Sequence, residues 1–263
     1  VAAQLFDAET KPLRRNQPGE PTFAGVLHKE LGPAMCTGFY YPYMRKLWAL
    51  PPEQLAVTLA RRRISGSSFL KIVKKVLGQL PGLKKPQTGG FYYLRLGFGQ
   101  ISDALRAGGE AKGAQFALNA SVSAIEHDGG KVKAVRWKTT EGEQRQEVDH
   151  VWSTLPLNAM ARMMEPAAPA ACDRIKYRGM ILVYLVLETD QFTEYDAHYF
   201  PEIEVPISRL SEPKNYSATS EPRGATVLCA ELPCDPGAVY WDMDDDALGA
   251  KLYEWLGNSG LAT

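Results

Sequence analysis

The stretch VSAIEHDGGKVKAVRWKTTEGEQRQEVDHVWSTL, Val122 to Leu155, most constrains how this chain can fold. Two turn signals, Asp128-Gly129-Gly130 and Glu141-Gly142, divide it into strand-length pieces, the pattern of an antiparallel β-meander. What precedes it has a different period. From Pro21 to about Gly78 the apolar residues recur at helical spacing. PTFAGVLHKELG places Phe23, Val26, Leu27 and Leu31 on one face, and Gly32 stops it. GPAMCTGFYYPYMRKLWAL reads as a second helical segment, bent or broken near Pro42. PPEQLAVTLARRRI is a helix opened by prolines, with basic residues in its last turn, and SSFLKIVKKVLG is a fourth helix.

After the linker-like QLPGLKKPQTGG, FYYLRL is expected as a strand, GFGQISDALRAGGEAKG as a glycine turn into a helix, and AQFAL as another strand. Beyond the meander, LPLNAMARMM reads as a short helix. GMILVYLVLE is so continuously apolar that it is expected to be buried on both faces. DAHYF, ISRL and ATVLCAEL are further strands, and DDALGAKLYEWLG closes as a helix. The fold class is α+β: a helical block followed by a mixed α/β block, with the boundary near residues 79–90. Residues 1–20, polar and proline-punctuated, read as a poorly ordered lead-in. The opening Val1 and the closing GLAT suggest a piece of something longer.

Thirty basic and thirty acidic residues cancel, so no charge excess points to nucleic acid or an anionic membrane. No apolar run is long enough to span a bilayer. Cys36, Cys172, Cys229 and Cys234 fit neither a redox pair nor a zinc knuckle and read as reduced thiols of a cytoplasmic protein. His28, His127, His150 and His198 share no ligand or nucleophile spacing, and no catalytic acid or base stands out. WDMDDDAL has Ala247 where a calcium loop needs Gly and Tyr253 where it needs Glu. It reads as the acidic cap of the last helix, and no metal site is expected. LGFGQIS offers Gly97-x-Gly99, but Ser102 replaces the third glycine of a dinucleotide fingerprint, so a tight turn is the default reading. The aromatic stripe Phe39–Trp48 next to Arg61, Arg62 and Arg63 fits either a helical core or the wall of a site for a flat or anionic small molecule.

Three stretches, in order, resemble one family. FYYPYMRKLWALPPEQLAVTLARRRIS is similar to the Tyr-x-Pro-Tyr-x-x-Lys-x-Trp-Gly-x-Pro-Pro block of FAD-dependent amine oxidoreductases, which include protoporphyrinogen oxidases and phytoene desaturase-like proteins; it also resembles UDP-galactopyranose mutases. FYYLRLGFGQISDALRAGGEAKGAQFALNASVSAI and DHVWSTLPLNAMARMM resemble later segments of that family. Ala49 stands where the family has Gly, and Leu94-Arg95-Leu96 where it has Pro-x-Gly.

The resemblance implies the middle of an FAD flavoenzyme, without its N-terminal GxGxxG turn and its C-terminal flavin-binding segment. Residues 21–80 would be a lid-like substrate-side block. Residues 81–165 would be part of the FAD-binding region, and 166–263 substrate-domain strands with the closing helix. It implies cofactor contacts at Gly97, Gly99, Val122, Thr154, Leu155 and Pro156, and a small-molecule substrate facing Tyr43, Trp48 and Arg63. The implied reaction is hydride transfer to flavin, with this chain alone inactive. A reduced-flavin nucleotide-sugar mutase and a binding module without cofactor are the alternatives.

Overall fold

A computed structural model describes residues 21–64, 92–165, 170–217 and 221–261, without the side chains of residues 61–64 and 171. The expected helix SSFLKIVKKVLG and the linker after it lie outside the described residues. In chain order the elements are α1 (Phe23–Leu31), α2 (Tyr41–Trp48), α3 (Val57–Ile64), α4 (Gly99–Glu110), β1 (Ser121–Asp128), β2 (Lys131–Thr139), β3 (Gly142–Glu147), α5 (Leu157–Met164), β4 (Gly179–Leu187), β5 (Ala197–Tyr199), β6 (Arg209–Ser211), β7 (Thr226–Cys234) and α6 (Asp245–Asn258). They form two compact units. Described residues up to Arg95 pack with those from Arg178 onward, and residues 96–177 form the second unit. The architecture is mixed helix and antiparallel sheet, the expected α+β class.

In the first unit, Thr22 caps α1 by accepting the Gly25 N–H at 3.0 Å, and Gly32 ends it at φ 81°. The helix buries Phe23, Leu27 and Leu31 in a core shared with Cys36, Tyr43, Met44, Leu55 and Ala60. A π-helical turn, Cys36–Tyr40, leads directly into α2, so the widened turn sits where Pro42 lacks an N–H to continue an α-helical ladder. The Tyr41 hydroxyl donates to the Ala24 carbonyl at 2.9 Å and ties α2 to α1. Contrary to the pattern of the sequence, the prolines of PPEQLAV do not open a continuous helix. Pro52–Gln54 form a 3₁₀ turn, Leu55 is extended and buried, and α3 starts only at Val57. Burying Leu55 there outweighs continuing the helix.

Helix α2 ends on Ala49, which holds a left-handed conformation at φ 52° and ψ 26°. This is the place of the family's glycine, and a Cβ is strained there. Ala49→Gly is therefore expected to stabilise the fold by about 0.5–1 kcal/mol, since glycine's greater freedom when unfolded offsets part of the relief. A higher melting temperature than the native chain's would confirm it, and a lower one would contradict it.

The sheet of this unit has the order β4-β7-β6-β5 and is antiparallel throughout. Val183, Leu228, Ala230 and Leu232 face inward onto Leu248, Leu252, Trp255 and Leu256 of α6, whose N-cap is the Asp244 carboxylate. Strand β4 is not buried on both faces as its composition suggested. Met180, Leu182, Tyr184 and Val186 alternate outward and are exposed. An edge strand of an antiparallel sheet needs only one buried face, and here the other face is apolar as well.

In the second unit, β1-β2-β3 is the expected meander, turning at Gly129-Gly130 and again before Gly142. Residues 148–155 leave the sheet as irregular chain. Helix α5 packs along β1, and the Met164 carbonyl lies 3.2 Å from Nε2 of His127. Two expected strands are absent. The described part of FYYLRL has no ladder partner, with a turn at Arg95-Leu96 and the Tyr93 ring tilted onto Tyr216 at 5.6 Å. AQFAL is irregular because Phe116 folds back on the end of α4, with the Arg106 guanidinium 5.8 Å above its ring. Both segments have aromatic residues that suit a strand, but each spends them on a local contact. Among the described residues no helix is long and apolar enough to cross a membrane, and no group of three or more His, Cys, Asp or Glu could hold a metal ion.

Candidate functional site

The residues that the resemblance assigns to the cofactor all lie in the second unit. Val122 is on β1, paired with Trp137, and the register slips between Val122 and Ala124, the mark of a β-bulge at Ser123. Among the described residues β1 is an edge strand, so backbone donors and acceptors along its outer side are available. A bulge on an edge strand is a place where main chain can read the edge of a flat heterocycle without a special side chain. Thr154, Leu155 and Pro156 lead into α5. The Leu155 N–H donates to Ser153 Oγ at 3.2 Å, the Leu157 N–H to the Tyr177 hydroxyl at 3.0 Å, and Pro156 stands at the cap. Helix α5, which these residues precede, packs along β1, the strand that carries Val122.

Gly97 and Gly99 form the turn before α4. Gly97 has φ 84°, and the Leu96 N–H donates to Oε1 of Gln100 at 2.8 Å. Among the described residues no strand leads into this turn, so its geometry there is that of a helix entry and not of a dinucleotide fingerprint. An edge strand and a helix entry are the kind of main chain that a flat base could lie against. Among the described residues no strand–glycine–helix turn cradles a pyrophosphate.

The residues that the resemblance assigns to the substrate belong to the first unit. Tyr43 is 7% exposed, stacked on Phe39 at 5.4 Å and edge-on to Tyr199 at 6.0 Å. Trp48 is 41% exposed at the end of α2. Arg63 lies on α3, its side chain outside the described residues.

Lys46, in the same aromatic block, has a part that sequence reading missed. Its ammonium donates to the carbonyls of Phe200, Val205 and Ile207 at 2.5, 2.6 and 3.0 Å, stapling α2 to the β5–β6 connection. Burial pushes its pKa down to about 8, against the opposing pull of Glu202 and Glu204. Arg178 closes the same corner, donating to the carbonyls of Lys46 and Pro233 and pairing with Asp235.

Leu182, Glu231, Arg209 and Tyr199 stand in register across β4, β7, β6 and β5, all on the outer face of the sheet. Nη2 of Arg209 donates to Oε1 of Glu231, and Nε of Arg209 is buried without a partner. Burial works against the guanidinium charge, but hydrogen bonds to Tyr199 and Glu231 outweigh it and hold the pKa above its ordinary value. The only signal in the sequence was Arg209 in the strand ISRL, at the position alternating with the buried Leu210.

A sequence profile described as flavin containing amine oxidoreductase matches residues 4–257. The chain belongs to that family. Its members are FAD-dependent, which agrees with the cofactor the sequence implied. No curated protein matches. Among solved structures, this amine oxidoreductase chain is similar to a reduced UDP-galactopyranose mutase, with TM-score 0.71, 19% identity, and coverage of 99% of this chain and 56% of that one. It is also similar to a putative protoporphyrinogen oxidase from Exiguobacterium sp. 255-15, with TM-score 0.62, 18% identity, and coverage of 99% and 56%. A putrescine oxidase bound to putrescine gives TM-score 0.54, 16% identity, and coverage of 96% and 54%. At these identities the likeness is one of fold. The chain spans a little over half the length of each of these structures.

Proposed function

We propose that this chain supplies the substrate side and part of the FAD side of an oxidoreductase that removes a hydride from a small organic molecule. The observation that carries the reading is the family match across residues 4–257. The edge-strand bulge at Val122 supports it, because it offers bare main chain where a flat heterocycle can be read. Val122, Thr154, Leu155 and Pro156 would hold the adenine–ribose end, and Gly97 with Gly99 would let the chain pass close to the flavin. FAD, when bound, supplies the hydride acceptor. The chain's own work is to bind, orient and exclude water, with Tyr43, Trp48 and Arg63 on the substrate side. With neutral net charge, the partner is a small molecule rather than nucleic acid. The free thiols fit a cytoplasmic setting, and this chain alone is expected to turn nothing over.

The test is anaerobic mixing of flavin-loaded protein with candidate substrates. Loss of the oxidised flavin absorbance supports hydride transfer. The mutase likeness, with the highest TM-score of the three, supports a second reading: isomerisation of a sugar nucleotide by reduced flavin. Turnover that requires reduced flavin and leaves it reduced would favour that reading.

A further inference from the structure

The outer face of the β4-β7-β6-β5 sheet presents apolar and aromatic side chains around one ion pair. We propose that Arg209 anchors a carboxylate-binding site on this face, which takes a planar apolar molecule bearing a single carboxylate. The inference deepens the oxidoreductase reading by naming a substrate class. It rests on that reading only for the ligand's being a substrate, since the binding itself needs no flavin.

The guanidinium offers five N–H donors in a planar fork. One goes to Glu231 through Nη2, the Tyr199 hydroxyl engages the group as well, and Nε has no partner. Nε is buried, but the side chain as a whole remains 36% exposed, so part of this fixed, always-charged group is open to the face. Glu231 and Tyr199 hold it from either side, which lowers the ordering a ligand must impose. In its row Tyr199 and Leu182 are exposed, and Tyr216 lies close enough for the Arg209 charge to act on its hydroxyl. Rings and methylenes therefore supply the apolar contact while one cation fixes the register. Charge selects among anions. Arg209 and Glu231 together are neutral, so a diphosphate would place excess negative charge beside a carboxylate, whereas one carboxylate can share the fork. An amine would have to compete with Arg209 for Glu231.

The test compares 1-naphthoate, the neutral 1-naphthalenemethanol and 1-naphthylmethylamine by equilibrium dialysis, on the 263-residue chain and on flavin-loaded protein from the complete reading frame. The native protein should prefer the acid to the alcohol by about tenfold, the worth of one charged hydrogen bond. Arg209→Gln should erase that preference. Glu231→Gln should strengthen acid binding several-fold by releasing the guanidinium, a gain that a purely structural pair would not give. Should Arg209→Gln fail to fold, the sign of the Glu231→Gln change decides. Equal binding of acid and alcohol would overturn the site. So would a preference for the amine that Glu231→Gln removes. An acid preference in a protein that takes up no flavin would leave the site standing and sink the oxidoreductase reading. Flavin binding without an acid preference would do the reverse.

Discussion

Glu212→Gln, although isosteric, is expected to cost the fold about 3–5 kcal/mol. Glu212 is 1% exposed, and both of its oxygens are fully engaged. Oε1 accepts from the Phe192 N–H at 3.0 Å and the Thr226 hydroxyl at 2.7 Å. Oε2 accepts from the Thr193 N–H at 2.9 Å and the Asn215 amide at 3.3 Å. A glutamine must turn an NH₂ toward one of these donor pairs, leaving N–H groups facing each other in a dry site. The knot fixes the turn before β5, and β5 carries Tyr199. The same substitution should therefore loosen the Arg209 row. Urea unfolding reads the loss directly, and a midpoint unchanged from the native chain would contradict it.

Lys46→Met is the second large effect, about 2–4 kcal/mol at neutral pH, because three carbonyls lose a charged donor and one side chain can no longer bridge α2 to the β5–β6 connection. Its pH dependence has a definite sign. The folded pKa of about 8 lies below the ordinary 10.5, so between these values the unfolded chain holds a proton the native chain has given up. Stability from this site rises as pH climbs through that window and is lost as pH falls back through 8. The deficit of Lys46→Met against the native chain should thus widen from pH 8 to 10.5. A narrowing deficit, read from melting temperatures, would mean that the ammonium's three carbonyl bonds outweigh the cost of burying it.

Lys46 and Glu212 also mark where sequence reading stops. Elements set by local chemistry were legible. Gly32 ends α1, the glycine turns divide the meander, and Asp244 starts α6, since cap and turn preferences act over a few residues. The carbonyls that receive Lys46 lie more than 150 residues along the chain, and no periodicity announces them. FYYLRL and AQFAL mislead because strand-favouring composition needs a neighbouring strand to express it. β4 misleads because its outward residues are as apolar as its inward ones, so alternation left no trace in the sequence. The aromatic block and the Val122 strand stood out in the sequence through their resemblance to a family. The Arg209 row was not, because it assembles one residue from each of four strands.

These residues are expected to belong to a working flavoprotein. The most direct test is the visible absorption spectrum of protein expressed from the complete natural reading frame, taken after desalting. Twin flavin bands at close to one FAD per chain are the expected result. A folded, colourless protein that also fails to take up added FAD would contradict it.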